Sequence, residues 1–274
     1  MHKPIGCCAM GRASRKYFRS KSCLIVKIVL SLRPTKVFHI PNIMTTRSFF
    51  LILFLVFFTA QAQKPEQRAE VTLQTTKGKI VLALYNQTPL HRDNFLQKVS
   101  EGYYDGVLFH RIIERFMIQA GDSASRSVAP ADYFPSEKED TTRIPAELHF
   151  PELFHRRGVL AAAREGDEVN PERASSNSQF YIVWGKYYGP KEMREMQEKV
   201  NEREDSTRRV TFPKEIIDAY EIDGGTPHLD GNYTVFGEVI KGLDVVGNIQ
   251  AVKTDSLDRP IKEVRIKKAW VSRP

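Results

Sequence analysis

From Glu70 to the C-terminus the chain is written mostly in short apolar runs of period two separated by turn residues, with no repeated alternation of strands and long crossover helices. Val71 and Leu73 alternate with polar neighbours, Thr75-Thr76-Lys77-Gly78 supplies a turn, and Ile80, Leu82 and Leu84 resume the alternation, which predicts a β-hairpin. Val107–Ile113 and Phe116–Ala120 flank the polar pair Glu114-Arg115 and predict a second hairpin. Gly158–Ala163, Gln179–Trp184, Tyr233–Ile240 and Ile261–Val271 read as further strands. Helical signals are few. Thr88 as N-cap and Pro89 in the first turn open one helix, with a stripe of Phe95, Leu96 and Val99 and a stop at Gly102; Leu243–Ile249 is a second, short one. Residues 123–144 and the polar stretch Arg164–Ser178 lack periodicity and are expected as surface loops. Many short strands, few helices and no βαβ units predict a mainly β chain, a closed antiparallel barrel.

One segment breaks the pattern. Between Lys186 and Gly225, Met193, Met196 and Val200 recur at helical spacing, and Pro213 opens a second helical stretch containing Ile216, Ile217 and Tyr220. This predicts a helical insertion at about 187–224 within one domain spanning 63–274. The methionine stripe is expected to pack on a neighbouring helix.

Charge separates the chain into two parts. Residues 1–62 hold ten Lys/Arg and no acidic residue; of 41 basic residues this leaves 31 against 33 acidic ones, a net of −2. The positive excess therefore belongs to the leader, and a nucleic-acid partner is not expected. From Met44 the chain reads Arg47, an apolar run Phe49–Phe58 and Ala60-Gln61-Ala62, a signal-peptide pattern over 44–62. The run is shorter than the ~20 apolar residues a membrane span requires. An exported protein, periplasmic or secreted, without a stable membrane span after cleavage is the expectation; an uncleaved anchor would instead make it a tethered scaffold. Residues 1–43 are expected to be an over-extended N-terminus or a long n-region. Cys7, Cys8 and Cys23 all lie there, so disulfide and thiol chemistry are not expected of the exported part.

His91, Glu147, His149 and His155 lack metal-ligand spacing, and no metal or cofactor is expected. Gly-x-Ser-x-Gly, phosphate-loop and dinucleotide motifs are missing as well. His110 is expected to be structural, its ring nitrogens hydrogen-bonded. In a hairpin centred on Arg115, Arg111 faces Gln119 across the strands and Met117 shares their side, which gathers a cation, an amide and an apolar contact.

The run Phe109-His110-Arg111-Ile112-Ile113-Glu114-Arg115-Phe116-Met117-Ile118-Gln119-Ala120-Gly121-Asp122 resembles the signature of the cyclophilins, as do Ser178–Ile182 and, third in order, His228-Leu229-Asp230-Gly231 with Val235-Phe236-Gly237. The resemblance covers about 70–185 and 226–272. It implies a closed eight-stranded barrel capped by helices, with a proline-binding groove on its outer wall, and a peptidyl-prolyl cis-trans isomerase acting on proline-containing polypeptides. It also implies roles. Arg111 and Gln119 would be catalytic, Phe116, Met117, Tyr181 and Leu229 would wall the proline pocket, Ala163, Arg164 and Gln179 would bind peptide backbone, and His228 and Tyr233 would line the rim. Tyr181, Arg164, Tyr233 and His228 stand where the best-known members have Phe, Asn, His and Trp, and the loss of that Trp weakens the expectation of tight cyclosporin binding.

The residue types suit that chemistry. A prolyl peptide bond turns slowly because resonance sets a barrier of roughly 18–20 kcal/mol. At the twisted transition state the lone pair returns to the prolyl nitrogen, so a fixed cation donating to it stabilises that state over either ground state. A rate gain of about 10⁵ needs only ~7 kcal/mol. The expected function is folding assistance to exported proteins by a monomer; the rival is a proline-segment binding module or holdase with little turnover. The insertion leaves the chain shortly after Tyr181 and returns just before His228, and is therefore expected beside the groove, where it could select substrates.

Overall fold

The structure is a computed structural model and describes residues 67–134, 142–202 and 208–274. The leader, its cleavage pattern and all three cysteines lie outside the described residues. Strands β1 (Glu70–Thr75), β2 (Gly78–Leu84), β3 (Arg111–Ile113), β4 (Met117–Ala120), β6 (Val159–Ala162), β8 (Phe180–Val183), β9 (Val235–Lys241) and β10 (Ile266–Arg273) form one eight-stranded sheet in the order β10-β1-β2-β9-β6-β8-β4-β3. Every pairing is antiparallel. Two-residue strands β5 (Arg143–Ile144) and β7 (Ser175–Ser176) pair separately. The helices are α1 (Pro89–Ser100), α2 (Pro190–Glu202), α3 (Lys214–Ile222) and α4 (Leu243–Gln250).

The expected closed barrel is instead a curled sheet whose ladder does not return on itself. Its seam lies between β3 and β10. There the chain before β3 meets the chain before β10 through a single bridge, Leu108–Arg265, with bonds from Phe109 N to Val264 O and from Ile266 N to Val107 O. Beside β3 itself stands a loop, with Ile112 N donating to Asp258 O at 2.8 Å. Asp258 has φ +61°, outside extended geometry, so no ladder can run through it. The last strand accordingly begins at Ile266 and not at Ile261.

Period two sorts each strand into two faces. Inside the curl, Val71, Leu73, Ile80, Leu82, Ile112, Ile118, Leu160, Phe180, Ile182 and Ile266 meet Phe95 and Val99 of α1 and Val246 and Ile249 of α4. Phe95 sits edge-on to both Phe180 and Phe236; burial of such a side chain contributes roughly 2–3 kcal/mol. The outer face carries a second apolar cluster: Tyr85, Met117, Val159, Ala161, Tyr181, Val183, Leu229 and Val235.

The start of α1 departs from expectation. Thr88 occupies the N-cap position without a side-chain cap bond. Glu147, far along the chain, accepts from the backbone N–H of Leu90 (3.1 Å) and of His91 (3.0 Å) and lies 2.6 Å from His91 Nδ1. A carboxylate there meets both the free amides and the positive end of the helix. The expected loop 123–144 includes two 3₁₀ turns, Ser123–Ser127 and Pro130–Asp132, and the strand β5. The Arg164–Ser178 stretch supplies β7.

The segment 187–224 contains α2 and α3, whose buried Met193, Val200, Ile216 and Tyr220 pack with Tyr188, Val210 and Phe212 against Phe150 and Phe154 of the main body. Its neck is closed by Gly225, which bridges both Lys186 and Arg156. A Cβ on Gly225 (φ +152°) would lie 2.2 Å from the His155 carbonyl oxygen, so only glycine fits where the insertion rejoins.

Candidate active site

A single cross-strand row builds the outer face. Arg111 pairs with Gln119, Gln119 with Tyr181, Tyr181 with Ala161, and Ala161 with Val235. Directly opposite residues point the same way. Because Ile112, Ile118 and Ile182 face the interior, Arg111, Gln119 and Tyr181 face outward. Arg111 is 46 % exposed at its side chain, a cation held on the outer surface and not in the core.

Beside it lies the outer apolar cluster. Met117 and Tyr181 are buried, Leu229 nearly so, and Phe116, Ala163 and Tyr233 pack against them half-exposed. The Phe116 ring lies 5.3 Å from that of His228. Tyr233 meets Tyr181 edge-on at 6.1 Å and takes the Arg164 guanidinium over its face at 4.4 Å. Contacts, bonds and register thus join all eleven sequence-predicted positions into one connected group.

Two partnerships differ from the expected arrangement. The Gln119 amide donates to Gln179 Oε1 at 2.8 Å, while Arg111 Nε lies 3.5 Å from Asp258 Oδ2. Arg164 is turned inward, 5 % exposed at its side chain, bonded to the carbonyls of Asn232 and Glu165 and paired with Asp167. Its guanidinium braces the rim. Burial would raise the Asp167 carboxyl, but the hydrogen bonds from Arg173 and Arg164 outweigh it and hold that group below the ordinary carboxylate range.

Behind the outer apolar cluster runs a buried polar chain that sequence reasoning missed. Tyr181 Oη lies 3.0 Å from His155 Nε2; His155 Nδ1 lies 2.8 Å from Asp230 Oδ1; Tyr220 donates to Asp230 Oδ2 at 2.6 Å. Burial, with Tyr233 and Asp230 nearby, pushes the Tyr181 hydroxyl well above its ordinary pKa, which keeps it protonated. Asp230 could have been singled out as the buried polar residue of the Leu229-Asp230-Gly231 block. Tyr220 and Asp258 carried no local signal of a place near the site, since only folding brings them there.

His110 is buried as expected, but its Nδ1 has no hydrogen-bond partner among the described residues. Desolvation brings its pKa down to about 4, opposed by Asp122 and aided by Arg111. Its ring packs on Tyr133 at 5.0 Å.

A curled eight-stranded antiparallel sheet with a cation and an apolar patch on its outer wall defines the class. Residues 70–271 match the family described as cyclophilin type peptidyl-prolyl cis-trans isomerase/CLD, and the chain belongs to that family of isomerases. It is 33 % identical over 210 residues to a putative peptidyl-prolyl cis-trans isomerase of Staphylococcus aureus (strain USA300), covering 75 % of this chain and 94 % of that one. A putative bifunctional phosphatase/peptidyl-prolyl cis-trans isomerase of Streptococcus pyogenes serotype M6 is 34 % identical over 202 residues, 72 % of this chain but only 37 % of that longer protein. The fold is shared with a cyclophilin type isomerase of Cryptosporidium parvum, at TM-score 0.52 and 24 % identity over 76 % of this chain and 100 % of that one. That protein has also been crystallised in the presence of the dipeptide Ala-Pro, and in that form the TM-score is 0.50, at 23 % identity over 75 % of this chain and 99 % of that one.

Proposed function

We propose that this isomerase works without covalent chemistry, Arg111 donating a hydrogen bond to the prolyl nitrogen as the peptide bond twists. The observation that carries this reading is the position of Arg111: half-exposed on the outer face, in the same cross-strand row as Tyr181 and one row from Met117, two members of the Met117–Tyr181–Leu229 patch. The pyrrolidine ring would seat on that patch, walled by Phe116. The planar guanidinium fork gives a directed, cationic donor where the nitrogen regains its lone pair. Gln119, bonded to Gln179, and Ala163 would take the flanking peptide backbone, with His228 and Tyr233 at the rim and Arg164 bracing it.

The substrates we infer are exported polypeptides whose X-Pro bonds limit folding, met by a monomeric enzyme in a periplasmic or extracellular space. The signal pattern at 44–62 supports this address. The mass of the mature protein tests it, with an N-terminus at Gln63 as the expected result.

The mechanism is tested by an exchange-NMR isomerase assay on an Ala-Pro peptide, comparing the protein with Arg111→Ala. Turnover is expected to fall at least about tenfold, equivalent to ~1.4 kcal/mol. Equal rates would remove Arg111 from the reaction, and binding without turnover by the unaltered protein would favour the holdase.

A further inference from the structure

The helical insertion joins the main body through more than apolar packing. Tyr220, the last buried residue of α3, is fully enclosed, edge-on to Phe154, Tyr188 and Phe212. Its hydroxyl reaches out of the insertion to Asp230, which is 0 % exposed. Asp230 in turn accepts from the backbone N–H of His155 at 2.7 Å and touches His155 Nδ1 at 2.8 Å through the same oxygen. His155 Nε2 meets the hydroxyl of Tyr181 at 3.0 Å. Tyr181 stands in the outward row between Gln119 and Ala161, and Leu229, directly before Asp230, lies in the same apolar cluster.

With Asp230 ionised and His155 neutral, the donors and acceptors in this chain have one consistent assignment. A carboxylate accepts only, so Tyr220 O–H, His155 N–H and His155 Nδ1–H all point at Asp230. With the ring proton on Nδ1, Nε2 presents a lone pair, and Tyr181 O–H donates into it. The Tyr181 hydroxyl is thereby satisfied behind the wall, and the ring offers the groove an apolar surface despite its polar tip. A buried hydroxyl without that acceptor would be left unsatisfied or swing toward the groove to find one.

We propose that the insertion is a positioning element for the proline pocket: through Tyr220, Asp230 and His155 it fixes the orientation of Tyr181, and Tyr220 is its contact residue. The inference rests on the outer patch being the proline site, as argued above. It assigns the insertion a task on the main body that does not require the insertion itself to touch substrate. Removing the Tyr220 hydroxyl leaves Asp230 one donor short, weakens its hold on His155 Nδ1–H, and loosens the tautomer that receives Tyr181.

The test uses Tyr220→Phe and Tyr181→Phe, which keep the rings and their packing, and the double variant, all in the full chain. Three quantities are read: the side-chain ¹⁵N shifts of His155, the Kd for an Ala-Pro peptide by NMR titration, and KM against kcat. In Tyr220→Phe the His155 nitrogens are expected to move toward a mixed-tautomer position while KM and Kd rise about threefold, more than kcat falls. The double variant is expected to bind no worse than the weaker single one, because both changes cut the same chain. A purely structural Tyr220 would lower stability while leaving the ¹⁵N shifts and the Kd in place, and that result overturns the proposal. Additive effects of the two substitutions would also overturn it. If the unaltered protein bound no proline peptide, the assignment of the groove would fail and this proposal with it. Normal peptide binding with an unchanged Kd in Tyr220→Phe would sink the positioning role alone.

Discussion

Arg111 Nε lies 3.5 Å from the carboxylate of Asp258, a residue reached only after the chain has traversed most of the sheet. The backbone of the same residue accepts from Ile112 N, so one loop residue holds both the strand and its guanidinium. Both side chains are more than 40 % exposed. A pair in that setting contributes little to stability, about 0–1 kcal/mol, but it restricts where the guanidinium points.

For Asp258→Asn the expectation is a fall in kcat/KM of about threefold with the urea midpoint hardly changed, since exposed pairs are weak and orientation is what is lost. Raising the salt concentration should shrink the difference between the two proteins. Steady-state kinetics at low and high salt check this; an unaltered kcat/KM would show that Asp258 does not orient Arg111.

Arg111→Lys is expected to retain less than about a tenth of the activity although the charge is kept, because a point charge on a flexible stem lacks the directed fork. Circular dichroism and thermal melting should match the unaltered protein, surface changes of this kind costing within ~0.5 kcal/mol. Full activity in the lysine variant would mean that charge alone suffices.

Glu147→Ala removes an acceptor shared by two α1 amides and the His91 ring. The expected cost is about 2 kcal/mol, at the upper end for a helix cap because the His91 contact goes with it. Urea unfolding measures it. A change under ~0.5 kcal/mol would indicate that Thr88 or water caps the helix equally well.

Stability should depend on pH through His110. Its folded pKa is depressed to about 4 by burial, against an ordinary value of 6.5. The unfolded chain therefore binds a proton that the folded one refuses, and stability is lost as pH falls from 6.5 toward 4, then levels off. Above 6.5 this group contributes no slope. The full span corresponds to roughly 3 kcal/mol as an upper bound. Denaturation at several pH values, with His110→Gln as comparison, isolates it; an identical slope in the variant would assign the loss to other groups.

Much of this protein is legible along the chain because its information is local. Alternation at Val71–Leu73 and Ile80–Leu84 specifies a hairpin, with Thr75 opposite Gly78 as the turn requires. Centring the second hairpin on Arg115 places Arg111 opposite Gln119, which is the observed register. Period two alone then puts arginine, glutamine and methionine on one face. The helical spacing of Met193 and Val200, and of Ile216 and Tyr220, likewise marks the buried sides of α2 and α3.

What the order of residues does not encode is which distant groups meet. Glu147 caps a helix that begins near Pro89, Asp258 holds Arg111, and Tyr220 reaches Tyr181 through Asp230 and His155. The same holds for the seam between β3 and β10, where the left-handed turn at Asp258 replaces a ladder and leaves the sheet curled but open. Short-range periodicity sets the faces of strands and helices, since side-chain direction follows from backbone geometry. Partners far apart in sequence are chosen only when the packed sheet removes water from them and each buried donor must find its acceptor.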